Sequence, residues 1–172
     1  MLEFNPNRCK RIRKEFRDAK EAGNEYNLRQ IDDNDLLNLR MTIPSPDDSI
    51  YLGLKIECLV KVHMDYPFKP PTIKILTPIK HLLISPRTGV FSCDILDGGM
   101  WSPAIVITKI ATILEENLLH EQLKDHVEHM LCYGTDNELM KVARQSLDEY
   151  LALIRYHSQS IINKEVPIRS LW

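Results

Sequence analysis

The proline-rich segment DYPFKPPTIKIL, residues 65–76, constrains the fold of this chain more than any other stretch. Three of its first seven residues, Pro67, Pro70 and Pro71, lack the backbone N–H that helices and central strands require. The segment therefore predicts a rigid, extended approach to a short strand, TIKIL, at 72–76. Because another strand pattern directly precedes the prolines, we expect the two strands to be antiparallel neighbours.

Three strand patterns precede the prolines. LKIECLVKVH at 54–63 alternates apolar and charged side chains, which is the period of a half-buried strand, and Cys58 falls on its apolar side. EYNLRQID at 25–32 and DLLNLRMTI at 35–43 are interpreted as two further strands joined by a turn. Four consecutive strands with short connections predict an antiparallel meander.

A helix is predicted before the strands, at 8–22. Its apolar residues recur at helical spacing on one face, while the opposite face is strongly basic. The apolar positions are Cys9, Ile12, Phe16 and Ala19. The basic face is either solvated or a docking face for an acidic partner.

The second half of the chain predicts a long loop followed by helices. An irregular stretch runs from 77 to Trp101, whose indole N–H needs a partner within the core or a loop. Ser102-Pro103 is a favourable start for an apolar helix, with Ser102 as N-cap. Further helices are predicted at 119–132 and 137–157.

Together these elements predict an α+β fold: an N-terminal helix, a four-stranded antiparallel meander, a long loop and C-terminal helices. With 172 residues, the chain is long enough to bury one sizeable core. We assign residues 1–157 to a single domain and residues 158–172 to a short C-terminal tail.

Composition excludes several classes of function. The net charge of −2 gives no nucleic-acid footprint, and no apolar run is long enough for a membrane span. The N-terminus is charged and lacks the apolar region of a secretory signal. We therefore expect reduced thiols and a cytoplasmic or nuclear location.

Metal ligands are sparse. His126, His129 and Cys132 share one face of a predicted helix, but no fourth ligand occurs at suitable spacing. The four cysteines form no CxxC pair. We predict no metal and no cofactor.

Several motifs resemble the ubiquitin-conjugating enzymes. DYPFKPP, then DIL at 94–96, then WSPA at 101–104 occur in this order before a helix. RIRKEF at 11–16 and TIPSPDDSIYLGL at 42–54 extend the resemblance. It implies the ubiquitin-conjugating fold and a thioester relay, in which a cysteine accepts ubiquitin from an activating enzyme and passes it to a lysine or a ligase.

The sequence departs from the family at the nucleophile. In the family, the cysteine is followed by one apolar residue and then by DIL, so its position matches Ser92 here, and Cys93 matches the apolar residue. The preceding loop is one residue longer than usual, which leaves Cys93 as the alternative nucleophile, with Asp94 or a nearby group assisting the incoming lysine. Successive side chains of an extended segment point to opposite sides, so only one of the two can face a cleft. We favour Ser92 facing outward and Cys93 as a buried apolar residue.

A second departure affects the family's His-Pro-Asn, whose asparagine is thought to stabilise the oxyanion of transfer. The matching residues are His81, Leu82 and Leu83. Leucine donates no side-chain hydrogen bond, and loss of one oxyanion donor costs on the order of 10²–10³ in rate in other enzymes. Together with Ser92, this resembles the catalytically inactive variants of the family.

The docking residues implied by the resemblance are present. They are the basic residues of the first helix, a phenylalanine in the proline-rich segment, and the loop after the tryptophan: Arg11, Lys14, Phe68, Ser102, Pro103 and Ala104. Phe68 either anchors in a partner's groove or packs beneath its own loop.

These residues leave three alternative functions. The first is a non-catalytic variant that docks a ubiquitin ligase, an active conjugating enzyme or a ubiquitin-like protein. The second is an active conjugating enzyme that forms a thioester on Cys93. The third, weaker, is a Ser92 oxyester that traps ubiquitin.

Overall fold

The computed structural model describes residues 6–97, 99–119 and 138–163. Helix α1 spans Pro6–Glu21. The strands are β1 at Arg29–Gln30, β2 at Asn38–Pro44, β3 at Lys55–Lys61, β4 at Thr72–Ile75 and β5 at Val90–Phe91. The later helices are α2 at Asp94–Asp97, α3 at Ile107–Leu114, α4 at Glu138–Gln145 and α5 at Leu147–Ile162, and a π-helical turn, Glu115–Leu119, continues α3. None of these helices is both long and apolar enough to cross a membrane.

The strands form one antiparallel sheet in the order β1-β2-β3-β4-β5, which confirms the predicted α+β meander. The sheet has one more strand than the four predicted. The additional strand, β5, lies in the stretch expected to be irregular, where Ile73 of β4 pairs with Phe91. Two residues are too few to show a period of two, so the sequence pattern missed this strand.

The core lies between one face of the sheet and the helices. Alternate residues of β2, β3 and β4 are buried, and Ile12 of α1 is buried with them. Cys58 lies in this core, as predicted, and burial raises the pKa of its thiol to about 12. Cys58 is therefore a packing residue rather than a reactive one.

The prediction that Ser102-Pro103 starts a helix is wrong. The Ser102 carbonyl accepts the Ile105 N–H at 2.9 Å in a turn, and α3 begins at Ile107. The N-cap residue, Val106, has no side-chain acceptor. Instead, the Ile107 N–H donates to Glu15 Oε2 of α1 at 2.8 Å, so a distant carboxylate satisfies the end of this helix.

The helix predicted at 137–157 is two helices. Ser146 separates them and caps α5, because its Oγ accepts the Glu149 N–H at 3.2 Å. Helix α5 continues to Ile162 and so extends into the segment assigned to the tail. Of the helix predicted at 119–132, only Leu119 lies in the described residues, and His126, His129 and Cys132 lie outside them.

Gly89 turns the chain into β5. Its φ angle is +72°, its N–H donates to the Ser85 carbonyl at 2.8 Å, and its carbonyl accepts the Ile75 N–H at 2.9 Å. A β-carbon at this position would lie 3.0 Å from the Ile75 carbonyl oxygen. Gly23 also has a positive φ angle, +90°, but a β-carbon there would meet nothing within 4 Å.

We predict that Gly89→Ala lowers the free energy of unfolding by about 2–3 kcal/mol, because strain and a backbone clash add. Gly23→Ala should cost only the strain of the left-handed backbone, about 1 kcal/mol. Chemical denaturation of both variants measures the difference. Equal losses would contradict the assigned close approach between Gly89 and β4.

Candidate functional site

Position 83 and position 92 are direct neighbours. The Ser92 N–H donates to the Leu83 carbonyl at 2.9 Å, and the next pair along the chain, Ile84 and Phe91, forms an antiparallel bridge. This pairing fixes the segment after His81 against the end of β5. Positions 83 and 92, which the sequence analysis predicts to match the family's asparagine and cysteine, therefore lie side by side.

Ser92 and Cys93 differ in exposure. Ser92 is partly exposed, whereas Cys93 is only 7% exposed and belongs to the core cluster. The Cys93 carbonyl accepts the N–H groups of Leu96 and Asp97 at 3.0 and 2.8 Å, and its own N–H donates to Asp97 Oδ2 at 3.1 Å. Cys93 thus forms the start of the short helix α2.

The surroundings of Cys93 disfavour a thiolate. Burial is the main cause of a raised thiol pKa, and it outweighs the opposite effect of the Leu96 and Ile95 N–H groups. A raised pKa lowers the fraction of thiolate, which is the nucleophilic form. Asp94, the other predicted catalytic residue, is the first residue of α2 and is partly buried.

His81 and Leu83 belong to the core beneath this site. Leu83 is only 4% exposed, and its N–H donates to His81 Nδ1 at 3.1 Å. His81 is fully buried, and burial lowers the pKa of its imidazole to about 3. From α5, Tyr150 accepts the Leu82 N–H through its hydroxyl at 3.3 Å. The segment is therefore held by neutral, buried partners.

Phe68 projects from the proline-rich segment. Its side chain is 77% exposed, which excludes the interpretation that it packs beneath its own loop. It borders an open groove of about 640 Å³ between this segment and α1. The groove is lined by Asn7, Arg8, Arg11, Asp65, Tyr66, Pro67, Phe68 and Lys69.

The other predicted docking residues are all at least partly exposed. Arg11 lines the groove with Phe68, and its Nη2 donates to the Pro103 carbonyl at 3.1 Å. Ser102, Pro103 and Ala104 are exposed, and so is Lys14 on α1. Arg11 therefore joins the two loops that the resemblance assigned to partner binding.

Sequence reasoning missed Glu15, which lies behind this surface. Its carboxylate is buried, and Oε1 accepts hydrogen bonds from Arg11 Nε and, at 2.7 Å, from the Tyr66 hydroxyl. Oε2 accepts the Ile107 N–H at 2.8 Å. The available signal was an acidic residue on the apolar face of α1, three residues after Ile12.

This carboxylate changes the titration of its partners. The hydrogen bond with Glu15 raises the pKa of Arg11. Burial first, and then the charge of Glu15, raises the pKa of the Tyr66 phenol.

Trp101 also contacts the proline-rich segment. Its Nε1 donates to the Pro67 carbonyl at 2.7 Å, and this carbonyl is the partner that the indole N–H was expected to need.

A helix packed on an antiparallel meander, with this loop and groove, defines a ubiquitin-conjugating fold. The chain belongs to the ubiquitin-conjugating enzyme family, whose model matches residues 11–150. It is 33% identical to ubiquitin-conjugating enzyme E2 14 of Schizosaccharomyces pombe over 119 residues, 69% of this chain and 74% of that protein. It is 30% identical to human ubiquitin-conjugating enzyme E2 K over 137 residues, 76% of this chain and 68% of that protein.

Solved structures agree with this assignment. The E2 domain of a Toxoplasma gondii ubiquitin conjugating enzyme matches with a TM-score of 0.68 and 26% identity, over 87% of this chain and 95% of that domain. A structure described as a novel ubiquitin-conjugating enzyme shares the fold, with a TM-score of 0.66 and 19% identity over 86% of this chain and 92% of that one. Family membership implies ubiquitin, activating enzymes and ligases as general partner classes.

The buried imidazole of His81 predicts a loss of stability in acid. Its folded pKa of about 3 lies below the ordinary value of 6.5, so in acid the unfolded state binds a proton that the folded state excludes. Its contribution to stability is complete above pH 6.5 and falls by about 1.4 kcal/mol per pH unit between pH 6.5 and pH 3. We expect His81→Asn, which keeps an acceptor for the Leu83 N–H, to flatten the decline by about 2 kcal/mol between pH 7 and pH 5.

His63 is the matched control. Its Nδ1 accepts the N–H of Asp65, two residues later, at 3.0 Å, as His81 does with Leu83, but His63 is exposed. Urea titration at each pH measures the pH dependence of unfolding in both variants, and the larger change is expected in His81→Asn, because His81 is buried and His63 is exposed. An unchanged slope in His81→Asn would contradict a neutral buried imidazole.

The different exposure of positions 92 and 93 predicts a difference in thiol reactivity. In the native chain, Cys93 should react with iodoacetamide much more slowly than a free thiol, because its sulfur is buried and its pKa is raised. In Ser92→Cys, the new thiol should react at least about tenfold faster than Cys93. Peptide mass spectrometry over a time course assigns each rate, and rapid labelling of native Cys93 would contradict the described burial.

Proposed function

We propose that this chain is a non-catalytic member of the ubiquitin-conjugating enzyme family that docks a ubiquitin ligase or an active conjugating enzyme. The observation that carries the proposal is the pairing of Ser92 with Leu83. It supports the match of Ser92, rather than Cys93, to the family nucleophile. The burial of Cys93 independently supports the hypothesis that Cys93 is a packing residue.

The chemistry of Ser92 is unfavourable for acyl transfer. A serine hydroxyl is a weak nucleophile unless an adjacent base activates it. His81, the nearest histidine in sequence, is buried, and its Nδ1 accepts the Leu83 N–H. Leu83 offers no side-chain donor for an oxyanion. The three groups that a serine would need for acyl transfer are a nucleophile, a base and an oxyanion donor. All three are therefore weakened around Ser92.

The docking surface, by contrast, retains its chemistry. Phe68 presents a large exposed ring beside a groove whose lining includes Arg8, Arg11 and Lys69. An exposed aromatic anchor with cations around it suits a partner that offers an apolar pocket and acidic side chains. Lys69 pairs with Asp65 at 2.9 Å, Arg11 pairs with Glu15, and Arg8 is buried. Exposed positive charge on α1 is carried by Lys10, Arg13, Lys14 and Arg17.

Restoration of the nucleophile tests the first half of the proposal. Incubated with activating enzyme, ATP and ubiquitin, Ser92→Cys should form an adduct that thiol removes, because a sulfur then occupies the partly exposed position. Addition of Leu83→Asn should increase transfer to free lysine by about 10²-fold or more. The native chain and Cys93→Ala should both stay uncharged. Charging of the native chain that Cys93→Ala abolishes would overturn the proposal.

Removal of the anchor tests the second half. Recombinant ubiquitin-ligase domains are titrated against the native chain by calorimetry, and those that bind are titrated against Phe68→Ala. Loss of the ring should weaken binding about tenfold or more. Leu52→Ala is the matched control, since Leu52 is also an exposed apolar residue, at 53%, and lies outside the groove. Equal effects of the two substitutions would contradict the docking assignment.

One observation favours an active enzyme as the second candidate. The backbone N–H groups of Leu96 and Ile95 act on the Cys93 thiol and oppose the effect of burial on its pKa. A rearrangement of the segment that exposed this sulfur would give a thioester on Cys93, which thiol removes. A Ser92 oxyester would instead resist thiol and be cleaved by alkali. Treatment of the charging reaction with thiol and, separately, with alkali therefore distinguishes all three functions.

A further inference from the structure

We propose that Glu15 is the positioning residue of the docking surface, which it organises from behind without touching a partner. The inference rests on the proposed docking function, and it assigns the residue that sets the geometry of that site. Glu15 is only 3% exposed. Any effect that it has on binding must therefore act through the groups that it holds.

The carboxylate of Glu15 joins three segments that are far apart in sequence. Within α1 it accepts a hydrogen bond from Arg11 Nε, from the proline-rich segment it accepts the Tyr66 hydroxyl at 2.7 Å, and from α3 it accepts the Ile107 N–H at 2.8 Å. Hydrogen bonds to an ionised acceptor are shorter and stronger than neutral ones. One charged group thus fixes a helix face, a loop and a helix end relative to one another.

Each of these segments carries a docking residue. Tyr66 lies two residues before Phe68, and Ile107 ends the loop that contains Pro103. Arg11 connects Glu15 to the loop that contains Pro103: its Nε donates to Glu15, and its Nη2 donates to the Pro103 carbonyl. A guanidinium clamped at one end is preorganised at the other, which lowers the entropy cost of partner binding.

Trp101 makes a second connection between the loops, through a hydrogen bond that does not involve Glu15. Its Nε1 donates to the Pro67 carbonyl, and its ring lies 6.3 Å from the Tyr66 ring, centroid to centroid. Loss of the Glu15 charge should therefore loosen the relative placement of the docking residues without unfolding the domain.

Glu15→Gln is the test, because glutamine keeps the shape but not the hydrogen-bonding pattern. An amide has one acceptor oxygen and a donor NH₂, so it cannot accept from Arg11, Tyr66 and Ile107 together. The first readout needs no partner: the ¹⁵N–¹H signal of Arg11 Nε. We expect slow exchange with water in the native chain and exchange as fast as in the exposed arginines in Glu15→Gln.

The second readout is affinity for a ligase domain that binds the native chain and loses affinity in Phe68→Ala. Glu15→Gln should weaken this binding about tenfold, although the residue is buried. Tyr66→Phe, which removes one of the three hydrogen bonds and keeps the charge, should weaken it less. Ile12→Val is the control for stability alone, since Ile12 is fully buried on the same helix and lies outside the network; it should change neither the affinity nor the Arg11 signal.

The outcomes separate the two proposals. If Phe68→Ala abolishes binding while Glu15→Gln binds as tightly as the native chain, Glu15 is not a positioning residue and docking stands. If Phe68→Ala leaves the binding of every ligase domain unchanged, the docking function itself fails. If Glu15→Gln does not fold, an affinity of Tyr66→Phe equal to that of the native chain would still overturn the inference, because one of the three hydrogen bonds to Glu15 is then lost without effect.

Discussion

The buried carboxylate of Glu15 is the interaction on which the functional half of the structure depends. A charge removed from water is costly unless its partners replace the lost hydration, and here three donors do so. These donors come from α1, the proline-rich segment and α3. The requirement to satisfy one charge therefore sets the start of α3 and the placement of the loops on either side of the groove.

The backbone of the family fold holds positions 83 and 92 together, whatever side chains they carry. The Leu83 side chain is buried, at the position that the sequence analysis matches to the family's polar asparagine. Cys93 likewise fills the apolar position next to Ser92. Both side chains are buried, and they support the proposal that the chain binds rather than conjugates.

The sequence predicted most of the fold because its strands are long enough to show a period. The alternation at 54–63 and the prolines after it located β3 and β4. It could not predict β5, which has two residues, or the start of α3, which depends on a carboxylate almost a hundred residues earlier. The proposed docking residues were predicted from family motifs. Glu15 was missed because a buried charge is recognised by its partners, and partners distant in sequence are invisible to local patterns.

The central claim is that this member of the family keeps the docking surface and lacks a working nucleophile. The most direct measurement is the intact mass of the native chain after incubation with activating enzyme, ATP and ubiquitin, quenched in acid so that esters and thioesters survive. The account predicts the mass of the unmodified chain while a control conjugating enzyme in the same reaction is charged. A mass increased by one ubiquitin, with the adduct mapped to Cys93, would contradict it.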